Sequence, residues 1–167
     1  IARDCILRME AIFRNLLNCS NSKKINIVMR NSRKNLDFKN EKDFYLNLSK
    51  NANLIENDER NFTSYKVAFS SSIIIAMDST LAFEMFGSGK RVLFCDLAKD
   101  KLFVNRKGVN FLFKKIPNEL VLETFDMTEM QSKINAIVEM TDEQYLKLTK
   151  ASRAYYLRKT DIPANQI

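Results

Sequence analysis

The 167-residue sequence predicts an α/β fold built on a parallel sheet, and three observations carry that expectation. Residues 72–95 read strand, helix, strand, the βαβ order that parallel pairing requires. Ile73–Met77 is a β-branched run without polar alternation, the pattern of a strand buried on both faces, as parallel strands are. The helix between the two strands, Ser79–Phe86, is short and apolar and closes on Gly87-Ser88-Gly89, glycines of the kind found just past a helix end.

In chain order, Ile1–Leu17 carries apolar side chains at 6, 9, 12, 13, 16 and 17, a helical stripe, with Arg3, Arg8 and Arg14 elsewhere on the cylinder. Ile25–Met29 reads as a strand that stops at the basic, Asn-rich loop Arg30–Asn35. Glu41–Ala52 is helical by composition, with Asn40 as its cap. The short apolar segment Asn53-Leu54-Ile55 leads into the loop Asn57–Arg60, and Phe62–Ser70 is a short helix. After the βαβ span, whose second strand is Arg91–Cys95, Gly108 marks a turn, Asn110–Lys115 reads as an edge strand and Leu120–Leu122 as another. Two helices close the chain. Each opens with Thr three residues before Gln, Thr128 with Gln131 and Thr141 with Gln144, the reciprocal pattern that satisfies two backbone N–H groups at a helix start. The last helix runs to about Lys159 before Pro163 breaks it. Tyr145, Leu148, Ser152 and Tyr155 fall on one face of it, which predicts docking on the sheet or on a partner domain.

Composition narrows the chemistry. The chain is 46% hydrophobic and 28% charged with only three Gly and two Pro, which excludes a disordered or collagen-like polymer. A chain of this length buries about 68–70% of the surface its unfolded form exposes, enough for a core. It contains no histidine, which removes Ser-His-Asp and Cys-His machinery and most zinc and non-haem iron sites. Catalysis would have to rest on carboxylates, Lys, Arg, Tyr, hydroxyls or the backbone. Cys5, Cys19 and Cys95 are an odd set without C-x-x-C spacing, which fits a reducing cytoplasm better than a disulfide framework. The longest uninterrupted apolar run, Ile73–Met77, is far short of the roughly 20 residues of a membrane span. A first residue of Ile rather than Met, entering an amphipathic segment directly, points to a piece of a longer polypeptide. The formal charge of +7 reads in greater part as solvated surface and otherwise as a complement to an anion. Bases recur at Lys23-Lys24, Arg30–Lys34, Lys99–Lys107 and Lys114-Lys115 without a dense run and, Phe103 excepted, without the interleaved aromatics that stack on single strands, which argues against nucleic acid.

Ligands of open α/β sheets bind outside the carboxyl ends of the strands. Here the apolar strand runs straight into a helix start made of Asp78, Ser79 and Thr80, whose unpaired N–H groups can hold a phosphate with hydroxyls as extra donors. Such a helix end favours an anion by about 0.3–1 kcal/mol when exposed and up to about 2 when partly buried, so nearby Lys and Arg must supply the rest. The alternative is that Asp78 or Ser79 only caps its own helix. Glu84 stands among Leu81, Ala82, Phe83, Met85 and Phe86. A helix apolar all round is a buried one, and an unpaired carboxylate inside it is costly. Glu84 is therefore expected to face a cleft, where ribose hydroxyls can donate to it, or to pair with Arg91 or another base.

The run Asp78-Ser79-Thr80-Leu81-Ala82-Phe83-Glu84, followed by Gly89-Lys90-Arg91-Val92-Leu93-Phe94-Cys95-Asp96, resembles the nucleotide-binding half of GT-B-type glycosyltransferases. Within that superfamily it is most similar to bacterial surface-carbohydrate and capsule biosynthesis transferases, over about residues 25 to 100. The resemblance implies that residues 1–167 form a Rossmann-like three-layer domain, a central parallel sheet flanked by helices, equivalent to the C-terminal half of a GT-B fold. It implies a two-domain protein whose other domain meets the helix at 141–160. By the same resemblance Ser79 and Thr80, with Asp78, contact phosphate and Glu84 contacts ribose. Arg33, Lys34 and Lys90 are further bases at the nucleotide, and Arg30 stabilises charge on the leaving group. Some relatives carry a histidine in the loop that is Arg30–Lys34 here, and its role either passes to Arg30, Arg33 or Lys34 or is absent. The implied donor is a nucleotide-sugar and the implied acceptor a glycan or a lipid-linked chain held by the missing N-terminal domain. No cofactor or metal is expected, in keeping with the lack of an Asp-x-Asp pair, and neither nucleic acid nor a transmembrane segment. The implied location is cytoplasmic, against the inner face of the membrane. A polyol-phosphate transferase of the glycerophosphate type shares this architecture, and a non-catalytic α/β module with a basic surface is the alternative from another class.

Overall fold

A computed structural model describes residues 10–16, 25–29, 36–48, 53–77, 79–96, 113–124 and 126–156. The chain divides into two units, residues 1–71 with 125–131 and residues 72–124 with 132–167, and each contains a parallel sheet with helices.

In the first unit residues 10–16 are helical (α1), followed by β1 (Asn26–Met29), α2 (Leu36–Leu48) and β2 (Asn53–Glu56). The two strands pair in parallel, Asn26 opposite Asn53 and Met29 opposite Glu56, and α2 is the crossover that parallel pairing needs. Across the first rung the Asn53 side-chain amide donates to Asn26 Oδ1 at 2.6 Å. Ile12, Phe13, Met29 and Tyr45 are buried, and Phe13 meets Tyr45 edge to face at 5.6 Å. The crossover helix begins five residues before the expected Glu41 and ends four before Ala52, so Asn40 lies inside it rather than at its cap. Residues 53–56 join the sheet instead. A four-residue strand with polar ends is too short to announce itself by alternation, and its partner decides its conformation. A 3₁₀ turn, Glu59–Asn61, then enters α3 (Thr63–Ser70) through Phe62, held at φ +50°. Asp58 fixes this entry by accepting from Arg60 N–H at 3.0 Å and Asn61 Nδ2 at 2.7 Å.

The second unit contains β3 (Ile74–Ala76), α4 (Thr80–Gly87), β4 (Val92–Cys95) and β5 (Val121–Leu122), with strand order β3–β4–β5, all parallel. Thus the expected βαβ unit forms. Burial on both faces belongs to β4, every residue of which is buried, whereas β3 is half-buried. Among the described residues β4 has a paired neighbour on each side and β3 on one only, which accounts for the difference. Residues 113–116 form a turn closed by Ile116 N–H to Phe113 O at 2.8 Å, not the expected edge strand. Phe113 and Ile116 are both buried, and a strand would send residues three apart to opposite faces.

Two helices follow, α5 (Met127–Glu139) and α6 (Asp142–Tyr156). The expected Thr128–Gln131 box is replaced by a single cap: Asp126 accepts from Thr128 N–H at 2.6 Å and Glu129 N–H at 3.0 Å. These bonds hold its carboxyl below the usual range. The second box forms as expected, Thr141 N–H to Gln144 Oε1 at 2.8 Å and Gln144 N–H to Thr141 Oγ1 at 3.2 Å. The inward face of α6 is Tyr145, Thr149 and Ser152, continued by Tyr156, while Tyr155 is 56% exposed. Tyr156 rather than Tyr155 therefore continues the stripe. It reaches the aromatic core, where Phe83 of α4 lies 5.1 Å from Tyr156 and stacks on Phe94 of β4 at 4.8 Å. Among the described residues no helix is long and apolar enough to cross a membrane.

Candidate functional site

The carboxyl edge of the three-stranded sheet is where β3 hands the chain to α4. Ser79 is the N-cap, in extended conformation at φ −106° and ψ 121°, and its carbonyl accepts the first helical bond from Ala82 N–H at 3.1 Å. Its hydroxyl makes no capping hydrogen bond. The reading in which Ser79 is spent on its own helix is thus not what the geometry shows. Thr80 follows in the first turn, exposed. The site offers backbone N–H groups at a positive helix end with two hydroxyls beside them, a donor set suited to an anion.

Glu84 stands one turn beyond Thr80 on the same side of α4, and both are exposed. The expectation that α4 is buried all round, forcing the Glu84 carboxylate into a cleft, is corrected here. Ala82, Met85 and Phe86 form the buried side, and Glu84 keeps access to water. An eight-residue helix covering an edge strand has one outer side, however apolar its sequence.

Lys90 and Arg91 lie at the other end of α4, where the chain re-enters the sheet at the amino end of β4. A helix of this length spans about 12 Å, so Ser79, Thr80 and Glu84 are brought together and Lys90 is not among them. Arg91 has a different employment from pairing with Glu84. Its guanidinium donates to the carbonyls of Ile137 at 2.7 Å, Val138 at 2.9 Å and Met140 at 2.6 Å, and to Asp142 Oδ1 at 2.9 Å. It satisfies the carbonyls left open at the end of α5. Tyr145 works beside it: the phenol accepts from Val92 N–H at 3.1 Å and donates to Lys90 O at 2.9 Å. A groove of about 430 Å³ at this amino edge is lined by Glu119, Ala136, Glu139, Met140, Gln144 and Leu148. None of Ser79, Thr80 or Glu84 lines it.

Asp78, Arg30, Arg33 and Lys34 lie outside the described residues, as do Cys5 and Cys19. Cys95 is buried, and burial pushes its thiol up to about 12, so at neutral pH it is an inert thiol and not a nucleophile. Among the described residues no three His, Cys, Asp or Glu side chains gather as a metal site.

One residue of this edge went unassigned by sequence reasoning. Asp96 leaves β4 immediately after Cys95 and is only 4% exposed, the one acidic side chain among the described residues that is buried. Its signal was available in the sequence: an acid directly following four apolar residues of a central strand.

A family model described as putative O-antigen biosynthesis protein matches residues 4–165. No curated protein and no solved structure matches the chain.

Proposed function

The chain belongs to that O-antigen biosynthesis family, and on this premise we propose that it is the nucleotide-sugar-binding domain of a glycosyltransferase acting in bacterial surface polysaccharide biosynthesis. In this reading the two parallel sheets belong to a Rossmann-like three-layer domain, the C-terminal half of a GT-B fold. The observation that carries it is the start of α4. A parallel strand ends, a helix begins, and Ser79 keeps its hydroxyl out of the cap. That arrangement, at the carboxyl edge of a parallel sheet, suits the phosphates of a nucleoside diphosphate. A family that builds a surface carbohydrate needs activated sugars, and these are carried on such diphosphates.

The roles divide by chemistry. Ser79, Thr80 and the first N–H groups of α4 bind phosphate, with Asp78, the preceding residue in sequence, as a further contact. Glu84, accessible and one turn on, accepts from ribose hydroxyls. Arg30, Arg33 and Lys34 supply positive charge, with Arg30 set against the charge that develops on the leaving diphosphate, the kind of preorganised charge that is often the largest catalytic contribution; Lys90, at the far end of α4, is left out of this set. The acceptor, a glycan or a lipid-linked chain, is held by a second domain, and the chain alone binds donor without turnover.

Calorimetric titration with the diphosphates of cytidine, uridine and guanosine tests this. At least one binds, and Thr80→Ala and Glu84→Ala weaken it. No binding of any of the three at millimolar concentration would sink the reading. Binding of glycerol-activated cytidine diphosphate in preference to every nucleotide-sugar would move it to polyol-phosphate transfer.

A further inference from the structure

We propose that the outer side of α3, with Phe62 at its head, is a lipid-contacting face that rests on the headgroup layer of an anionic membrane surface. This does not depend on the nucleotide reading, and either can fail alone.

The helix is turned inside out. Ala68 is its buried residue, while Phe62 is 64% and Phe69 52% exposed. Phe62, Tyr65 and Phe69 stand three and four residues apart, which places them on one side of a helix, and Phe62 meets Tyr65 edge to face at 6.3 Å. Hydrophobic burial alone would put the rings inside and the alanine outside.

Phe62 adds a second observation. Among the described residues it is the only one other than glycine at positive φ, a conformation that is costly for a bulky L-residue and suited to Gly or Asn. The turn is fixed around it by Phe62 N–H to Glu59 O and Thr63 N–H to Asp58 O, both at 3.2 Å. The backbone is thus held in strain to present a ring to the outside, and strain kept in this way points to use of the side chain.

Charge selects what the rings meet. Lys66 is exposed and stands between Phe62 and Phe69 on the same side, and Arg60 is exposed just before them. Glu59 is the exposed acid beside them; Asp58 has both oxygens engaged, by Arg60 N–H and Asn61 Nδ2. A dry protein interface would bury the Lys66 ammonium at its centre, at a high cost. A headgroup layer receives it: the rings enter the acyl boundary and the lysine reaches back to the phosphates. The net charge of +7 favours an anionic surface. A second copy is a poorer occupant. Two aromatic side chains of roughly 150–250 Å² each, half exposed, fall far short of the roughly 800 Å² per partner of a stable interface.

Co-sedimentation of the whole chain with vesicles of phosphatidylglycerol and phosphatidylethanolamine, and with phosphatidylcholine vesicles, tests this at about 0.1 M salt. The chain partitions reversibly onto the anionic vesicles in preference to the neutral ones. Phe62→Asn and Phe69→Ser each weaken partition roughly 10-fold, and Lys66→Gln weakens it about 5-fold on the anionic vesicles alone. Phe62→Asn leaves the urea midpoint unchanged or raises it, since Asn adopts the left-handed conformation more readily. Absence of partition onto anionic vesicles overturns the proposal, as does partition unchanged when Phe62→Asn and Phe69→Ser are combined. A lower midpoint in Phe62→Asn shows that the ring serves the fold and also overturns it. Self-association that is lost in the combined variant, without vesicle binding, gives the face to a second copy instead. Should Phe69→Ser fail to fold, bicelles containing spin-labelled phosphatidylglycerol decide with the unmodified chain. The label broadens the amide signals of residues 62–69, and broadening elsewhere that spares them overturns the assignment.

Discussion

At Gly89 the backbone turns through φ +91°, and a Cβ built there would lie 3.2 Å from Leu146 Cδ2 and 3.4 Å from Arg153 Nη1. The turn closes α4 with Gly89 N–H to Phe86 O at 3.0 Å and Lys90 N–H to Met85 O at 2.9 Å, the paired bonds of a Schellman ending. Gly89→Ala should cost about 1–2 kcal/mol, the ordinary penalty of a left-handed L-residue, read as a lower urea midpoint at unchanged m. An unchanged midpoint would mean that the turn relaxes. Tyr145 is the second residue on which the amino end of β4 depends. Tyr145→Phe leaves the buried Val92 N–H without its acceptor and should cost about 1–3 kcal/mol. Burial raises the Tyr145 phenol from 10.0 to about 12, the Val92 bond and the Arg91 and Arg153 charges opposing, and raises the Cys95 thiol from 9.0 to about 12. Both groups bind their protons more tightly when folded. Their contribution is full below the unfolded values and is lost as pH rises through the folded ones. Stability should hold level through neutrality and fall between about pH 9 and 12, and Cys95→Ala should delay the onset. At this scale the sequence was a fair guide to backbone and a poorer one to side chains. Gly89 past the helix end was legible because only glycine turns so cheaply. Glu84 was misread because an apolar helical sequence does not reveal that one side remains uncovered.

Arg91 joins elements that no local pattern connects. Its guanidinium ties the end of α5 and the first residue of α6 to the start of β4, through bonds to residues 46 to 51 positions away. Arg91→Lys keeps the charge but not the planar fork and should lose about 1.5–3 kcal/mol, with nucleotide affinity unchanged because the residue sits at the amino edge. A variant that folds as well as the parent but binds nucleotide poorly would return Arg91 to the ligand. The Thr141–Gln144 box is a gentler contribution: Thr141→Ala should cost about 1 kcal/mol, measured by denaturant unfolding. These cases mark how far elements were readable. The second box was legible because both of its bonds are local. The first was not, since Asp126, one residue before Met127, offers a carboxylate to the same N–H groups and displaces Thr128. β2 was missed and residues 113–115, the described part of the expected strand 110–115, were mistaken for a strand for one shared reason. In segments of four residues tertiary partners outweigh propensity, and the sequence does not name the partners. The βαβ unit of residues 72–95 was read correctly because a continuous apolar strand and an intervening helix leave few other arrangements.

The excess of seven positive charges is a property of the whole chain, and its meaning depends on the kind of anion it meets. A nucleic acid is bound by releasing condensed counterions, so a protein making 6–10 phosphate contacts loses about 10³–10⁵ in affinity between about 50 and 200 mM salt. A nucleoside diphosphate has no such counterion atmosphere, and the site proposed at the start of α4, made of helix N–H groups and hydroxyls, would hold it by short-range donors. Its affinity should therefore change only a few-fold over that range, the remainder being ordinary screening of nearby Lys and Arg. Binding also stabilises by mass action, about 2.7 kcal/mol at 100 times Kd, so saturating nucleotide should raise the melting temperature while a single-stranded oligonucleotide at equal phosphate concentration should not. Fluorescence anisotropy at a series of salt concentrations, with a labelled nucleotide and a labelled oligonucleotide in parallel, reads both slopes from one preparation. A steep slope for the oligonucleotide with no nucleotide binding would make the basic surface a polyanion-binding face and leave the start of α4 as ordinary helix architecture. A shallow slope for the nucleotide, lost together with binding in Thr80→Ala, would tie the charge that matters to one crevice and leave the rest to solubility.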